Sequence, residues 1–257
     1  MSDLVLRPRS ATELIDAAFQ IYQRAPLPFM VAMALIYLPW LGIRLLFKLD
    51  VPTGQTQLTA AMMTTLVVSS VAGVIIYCLA AGAGFVLARA VYLDEPVDVA
   101  AAFRVTFARF PKLLLATILE FVLAAIGFVF LFVPGIYVLI RFFAIRQAVM
   151  LEDAGPFAAF GRSSTLSNGQ KWHIFGTLFL VMILLLVVDG GAAAVSSLLG
   201  SQVLAGVLMT AVVIVLYPLI VITETVLYFD TRIRNEGFDV EFLAAAPSAG
   251  VAPGLPA

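Results

Sequence analysis

Histidine and cysteine are nearly absent: His173 and Cys78 are the lone residues of their types in 257. One cysteine excludes an internal disulfide and a cysteine-rich metal site, and two such remote ligands exclude a zinc or copper centre. Charge is scarce too, at 12% of residues where a soluble domain carries about a quarter. Its balance is −1 with a pI near 5.8, so the basic stripe that grips nucleic acid is missing. No Gly-rich phosphate loop, nucleophile elbow or His-Glu metal motif occurs. Gly82-Ala83-Gly84 lies inside an apolar run with no loop behind it and reads as packing. These absences predict no enzyme, no cofactor and no metal site. Residues 1–25 carry Asp3, Glu13 and Asp16 and lack an apolar core, so no cleavable signal is expected. The first span is then expected to act as its own insertion signal.

What remains is apolar, with 62% hydrophobic residues and a mean hydropathy of +1.06. That is an integral membrane composition. The pattern predicts an all-α, polytopic membrane helical bundle: six transmembrane helices plus short cytoplasmic-side amphipathic helices.

Ser10-Ala11-Thr12-Glu13 fits a capping box. Behind it Leu14, Ile15, Ala18, Phe19 and Tyr22 recur at helical spacing, an amphipathic helix too short to span, ended by Pro26 and Pro28. Span 1 is placed at Phe29–Phe47, with Arg44 and Lys48 snorkelling at its far end, and Asp50–Gln57 as a polar turn. Span 2 covers much of Ala61–Tyr92 and stops at Asp94-Glu95-Pro96. Its Gly73, Ala80, Ala81, Gly82, Ala83 and Gly84 suit close helix approach. Val99, Ala102, Phe103, Thr106, Phe107 and Phe110 mark a second amphipathic helix. Spans 3 and 4 form a hairpin across Lys112–Leu151 with Pro134-Gly135 at its tip. Phe157–Ser167 reads as a third surface helix, halted by Asn168-Gly169. Span 5 is placed at Ile174–Val188, ending at Asp189-Gly190-Gly191, with Ala192–Gly200 a small-residue loop or helix end. Span 6 covers Val203–Phe229 and bends at Pro218.

One transmembrane domain over 1–243 is expected, built of three units (surface helix plus hairpin) at about 10–92, 96–151 and 156–230, with 244–257 a disordered tail. Ala17-Ala18-Phe19, Ala101-Ala102-Phe103 and Ala158-Ala159-Phe160 open the units, and Val91-Tyr92-Leu93-Asp94-Glu95 matches Val149-Met150-Leu151-Glu152-Asp153. Arginine and lysine gather on one side: Arg7, Arg9 and Arg24, then Arg89, Arg104, Arg109 and Lys112, then Arg141, Arg146, Arg162 and Lys171, then Arg232 and Arg234. Arg44 and Lys48 fall on the other. The bias predicts a bacterial inner-membrane protein with both termini cytoplasmic.

Ionisable groups at membrane depth are costly unless partnered, so they mark candidate sites. Glu120 lies about two turns into span 3, roughly 12 Å deep. Arg141 lies a similar distance below the hairpin tip, Arg146 is nearer the cytoplasm, and Glu224 is near the end of span 6. The candidate intramembrane charge network is therefore Glu120, Arg141, Arg146 and Glu224. Three readings stand: an ion pair locking the bundle, a grip on an anionic lipid headgroup or solute, and a proton relay. An Arg141 without a protein partner favours the lipid site. His173 reads as an interfacial belt residue and Asp189 as a helix end. Asp94, Glu95, Glu152 and Asp153 read as charges favouring the N-termini of the surface helices.

Three segments add a resemblance. They are Leu6–Phe19 with Tyr22, Val133-Pro134-Gly135-Ile136-Tyr137 with Arg141, and Leu227–Glu241. Together they resemble the bacterial glycerophosphoryl diester phosphodiesterase membrane-domain family over about residues 5–242. Gln147 departs from the apolar pattern expected there. The hydrolase fused to some members needs paired histidines, which this chain lacks, so the resemblance implies the membrane part alone and no catalytic residue. The expected function is a non-enzymatic scaffold or accessory subunit of a membrane complex, with Arg232 and Arg234 on a docking face. The alternative is a lipid-binding or small-solute transport protein using Glu120, Arg141 and Glu224. Expected partners are membrane lipids and a membrane protein or second copy, with no nucleic acid.

Overall fold

A computed structural model of the protein describes residues 7–47 and 59–238. Lys48, the Asp50–Gln57 turn and the tail at 244–257 lie outside the described residues. Among those described there are nine helices and no strand: α1 Ala11–Arg24, α2 Pro26–Phe47, α3 Ala60–Tyr92, α4 Val99–Phe130, α5 Phe132–Arg141, α6 Ile145–Glu152, α7 Pro156–Leu166, α8 Lys171–Leu198 and α9 Gln202–Glu236. Six stretches are long and apolar enough to cross a membrane: Pro26–Phe47, Met62–Tyr92, Val99–Phe130, Phe132–Glu152, Lys171–Leu198 and Val203–Glu236. The chain is a multi-pass, all-α membrane protein.

α1 begins on the capping box: the Glu13 N–H donates to Ser10 Oγ at 3.4 Å, and the Ser10 N–H donates to Glu13 Oε2 at 2.8 Å. Two orphan backbone donors are satisfied at once. The helix buries Leu14, Ala17, Ala18 and Ile21 in one cluster with Phe29, Leu87, Ile222 and Tyr228. Phe19, expected on that face, is 41% exposed.

The second surface helix is not a separate element. α4 runs unbroken from Val99 through Pro111 to Phe130, capped by Asp98, whose Oδ1 accepts from the Ala100 N–H at 2.8 Å. Proline removes one helical hydrogen bond, yet Ala102, Thr106, Leu113 and Ala116 make a continuous buried stripe on both sides of it. Tertiary packing outweighs the local break. Gly82 of α3 admits this contact, since a Cβ there would stand 2.7 Å from Thr106 Cγ2. Gly84 does the same for α9, with Val221 Cγ1 at 2.6 Å from such a Cβ. Gly73 has no neighbour within 4 Å, so the expected close approach does not extend to it.

The hairpin turns at Leu131, whose extended backbone (φ −169°, ψ 155°) separates α4 from α5, and not at Pro134-Gly135. Pro134 instead occupies the first turn of α5, where its missing N–H leaves no bond unmade. Span 4 is also two helices. The break at residues 142–144 is bridged by Ser163, whose Oγ donates to the Arg141 carbonyl at 3.1 Å and accepts from the Ala144 N–H at 3.0 Å. Further on, α8 continues through Asp189-Gly190-Gly191 to Leu198, and the chain turns only at Gly200 with φ +63°. Neither Gly190 nor Gly191 takes a positive φ, so nothing there obliges the helix to end.

Candidate functional site

Three of the four expected charges meet. α4 presents Glu120 and α6 presents Arg146, both buried at 4% and 8% exposure, and α9 adds Glu224. Arg146 Nη2 lies 3.6 Å from Glu224 Oε2, and its Nε lies 4.0 Å from Glu120 Oε2. The guanidinium carbon stands 5.1 Å from the centre of the Tyr77 ring of α3, a cation–π contact. One arginine thus ties four helices together.

Both ion-pair distances exceed a direct hydrogen bond, a spacing that water commonly bridges. Glu120 Oε2, Arg146 Nε and the hydroxyl of Thr117, one turn before Glu120, have no hydrogen-bond partner within the described protein. Gln147 is fully buried, with both amide atoms unpartnered among the described residues. Chemically this is a cluster of two carboxyl groups and one guanidinium, with hydroxyls and rings around them. It suits holding helices.

Arg141 does not join them. At the C-terminal end of α5 it donates to the Tyr137 hydroxyl at 3.2 Å, and its guanidinium lies over the Phe142 ring at 5.8 Å. The break at 142–144 puts it on a different helix from Arg146, and the two side chains take different directions. Lys171 reaches the same Tyr137 hydroxyl from α8 at 3.4 Å. Arg141 therefore stands apart from the expected four-member network, on Tyr137 and Phe142.

Two further clusters were missed because their members are far apart in sequence. Asp230, fully buried, accepts from the Arg9 N–H at 2.6 Å and from Arg234 Nε at 2.7 Å, and lies 2.9 Å from His173 Nε2. His173 is therefore a partner of a buried carboxylate. Glu152 accepts twice from Arg162 at 2.7 Å and once from the Tyr228 hydroxyl, while Arg162 also pairs with Glu236. Arg232 lies 3.1 Å from Glu236, so Arg232 and Arg234 are engaged within the molecule and do not form a free docking face.

The expected capping carboxylates also do other work. Asp153 lies 3.0 Å from Lys112 and 3.3 Å from Arg109, which hold its carboxyl below the usual carboxylate range, the lysine hydrogen bond most of all. Glu95 pairs with Arg89 at 3.0 Å.

A family model described as a domain of unknown function, DUF7847, matches residues 7–234. No curated protein and no solved structure matches the chain.

Proposed function

The chain belongs to the DUF7847 family, and from that premise we propose a non-enzymatic, multi-pass bacterial inner-membrane protein acting as a scaffold or accessory subunit of a membrane complex. Both termini face the cytoplasm in this reading, on the bias of arginine and lysine to that side. Kinship with the glycerophosphoryl diester phosphodiesterase membrane domains belongs to the same proposal and rests on the three segments quoted above.

The observation that carries it is α8. Only 6% of its most apolar stretch is buried, against 22–50% for the other five spans. Membrane helices associate through small residues that let backbones approach, since lipid supplies no hydrophobic drive between them. Gly190, Ala194 and Ser197 follow at helical spacing on α8, and all three are exposed. A partner helix, from another protein or a second copy, fits that face.

Purification in mild detergent tests this. Wild type is expected to elute as an oligomer or with a stoichiometric membrane protein, and Gly190→Leu with Ala194→Leu is expected to release it. A wild-type protein that elutes alone as a monomer overturns the reading.

A further inference from the structure

We propose that Arg141 and Lys171 form a binding site for an anionic membrane lipid, its phosphate in the cup between α7 and α8 and its acyl chain along α5. The cup is a cavity of about 280 Å³ lined by Arg141, Ser164, Thr165, Ser167, Asn168 and Lys171. It holds two cations, three hydroxyls and an amide, and no carboxylate. Arg109, Lys112, Arg146, Arg162, Arg232 and Arg234 each lie within 4 Å of an acidic side chain. Arg141 and Lys171 have no such partner among the described residues. Both instead converge on one neutral group, the Tyr137 hydroxyl.

Two cations 30 residues apart in sequence, drawn to one point without a counter-charge, repel each other. A bound anion relieves that repulsion, and arginine suits phosphate because its fork of donors matches the oxygens. The cup also adjoins the start of α8, whose N-cap Gln170 gives no side-chain bond to the first turn. Free backbone N–H groups at a helix N-terminus favour an anion in the same place.

Lys171 is shared with a second cavity of about 440 Å³. This groove is lined by Val133, Ile136, Tyr137, Ile140, Trp172 and Phe175. Val133 is 73% and Trp172 86% exposed, on helices that cross the membrane, so the groove opens toward lipid. Tryptophan and tyrosine beside a lysine are the residues of a headgroup boundary. The charged cup and the apolar groove meet at that boundary. A headgroup and its chain occupy both together, which a free phosphate does not.

This site is separate from the α8 face at Gly190–Ser197 on which the scaffold reading rests, so either fails without the other. The test uses the full chain in detergent, titrated with phosphatidylglycerol, phosphatidylcholine or inorganic phosphate and read by native mass spectrometry. Wild type is expected to retain phosphatidylglycerol in preference to phosphatidylcholine. Arg141→Gln with Lys171→Gln should weaken the anionic lipid about 25-fold, the product of about 5-fold per basic side chain, and leave phosphatidylcholine unchanged. Ile136→Trp, which fills the groove and keeps both cations, should weaken phosphatidylglycerol but not inorganic phosphate. Should the double variant not fold, the groove variant decides alone. Equal retention of the two lipids by wild type, or undiminished phosphatidylglycerol binding in either variant, overturns the proposal. Phosphate binding that competes with no lipid assigns the cup to a free anion and overturns it too.

Discussion

Arg146 Nη2 stands 3.6 Å from Glu224 Oε2 and so joins α6, at the end of the second hairpin, to α9, the last helix of the chain. Glu120 shares the same guanidinium from α4. The cluster sets two carboxyl groups against one guanidinium, so its stability depends on keeping the arginine. Arg146→Met is expected to destabilise the fold by about 3–5 kcal/mol, because removing one partner leaves buried carboxylates without a counter-charge. Adding Glu120→Gln and Glu224→Gln should restore most of that loss, since a charge-free cluster has no unpaired ion to bury. Thermal unfolding of detergent-purified protein, followed by the monodisperse fraction, checks both. A single variant as stable as wild type would show that the arginine locks nothing.

Gly127 and Gly135 set how closely α4 and α5 approach. A Cβ on Gly135 would stand 2.5 Å from the Phe128 ring, and one on Gly127 would stand 2.9 Å from Gly135 Cα. A ring and a backbone give little way, so Gly135→Ala should cost about 1–3 kcal/mol of stability. Gly73→Ala, in the middle of α3 with no neighbour within 4 Å, should instead gain up to about 1 kcal/mol from helix propensity. Unfolding midpoints that move in the same direction for both refute the steric account.

Glu13 carries a pH dependence of known sign. Arg7, hydrogen-bonded at 2.6 Å, and then the Ser10 N–H lower its carboxyl from the ordinary 4.5 to about 2. A carboxyl depressed in the folded state adds stability that is complete above its unfolded value and fades as pH falls toward the folded one. Glu13→Gln should therefore unfold more easily than wild type at pH 7, with the gap closing between pH 4.5 and about 2. Paired melting curves across that range measure it, and a gap that widens on acidification contradicts the capping-box role.

Much of this molecule follows from local patterns. Ser10 and Glu13 are three residues apart, and a capping box needs nothing beyond that spacing. The apolar runs are as long as a bilayer is thick, so six spans are legible without knowing their neighbours. The close contact at Gly82 and Gly84 was visible as a cluster of small residues. Local pattern misled where packing overrode it: Pro111 does not divide α4, and Gly190-Gly191 does not end α8.

The site was half legible for a related reason. A charge in an apolar run announces itself, which is why Glu120, Arg141, Arg146 and Glu224 stood out. Its partner is a matter of which helices pack together and how each is rotated, and no spacing along one chain encodes that. The sequence by itself determined a helical membrane protein with costly charges inside its apolar runs. Only the tertiary structure decided that Arg146 takes both carboxylates, that Asp230 gathers Arg9, His173 and Arg234, and that Arg141 is left beside Lys171. Ion pairing depends on a few ångströms in three dimensions, and the break at 142–144 swings Arg141 away from a cluster only five residues further along the chain.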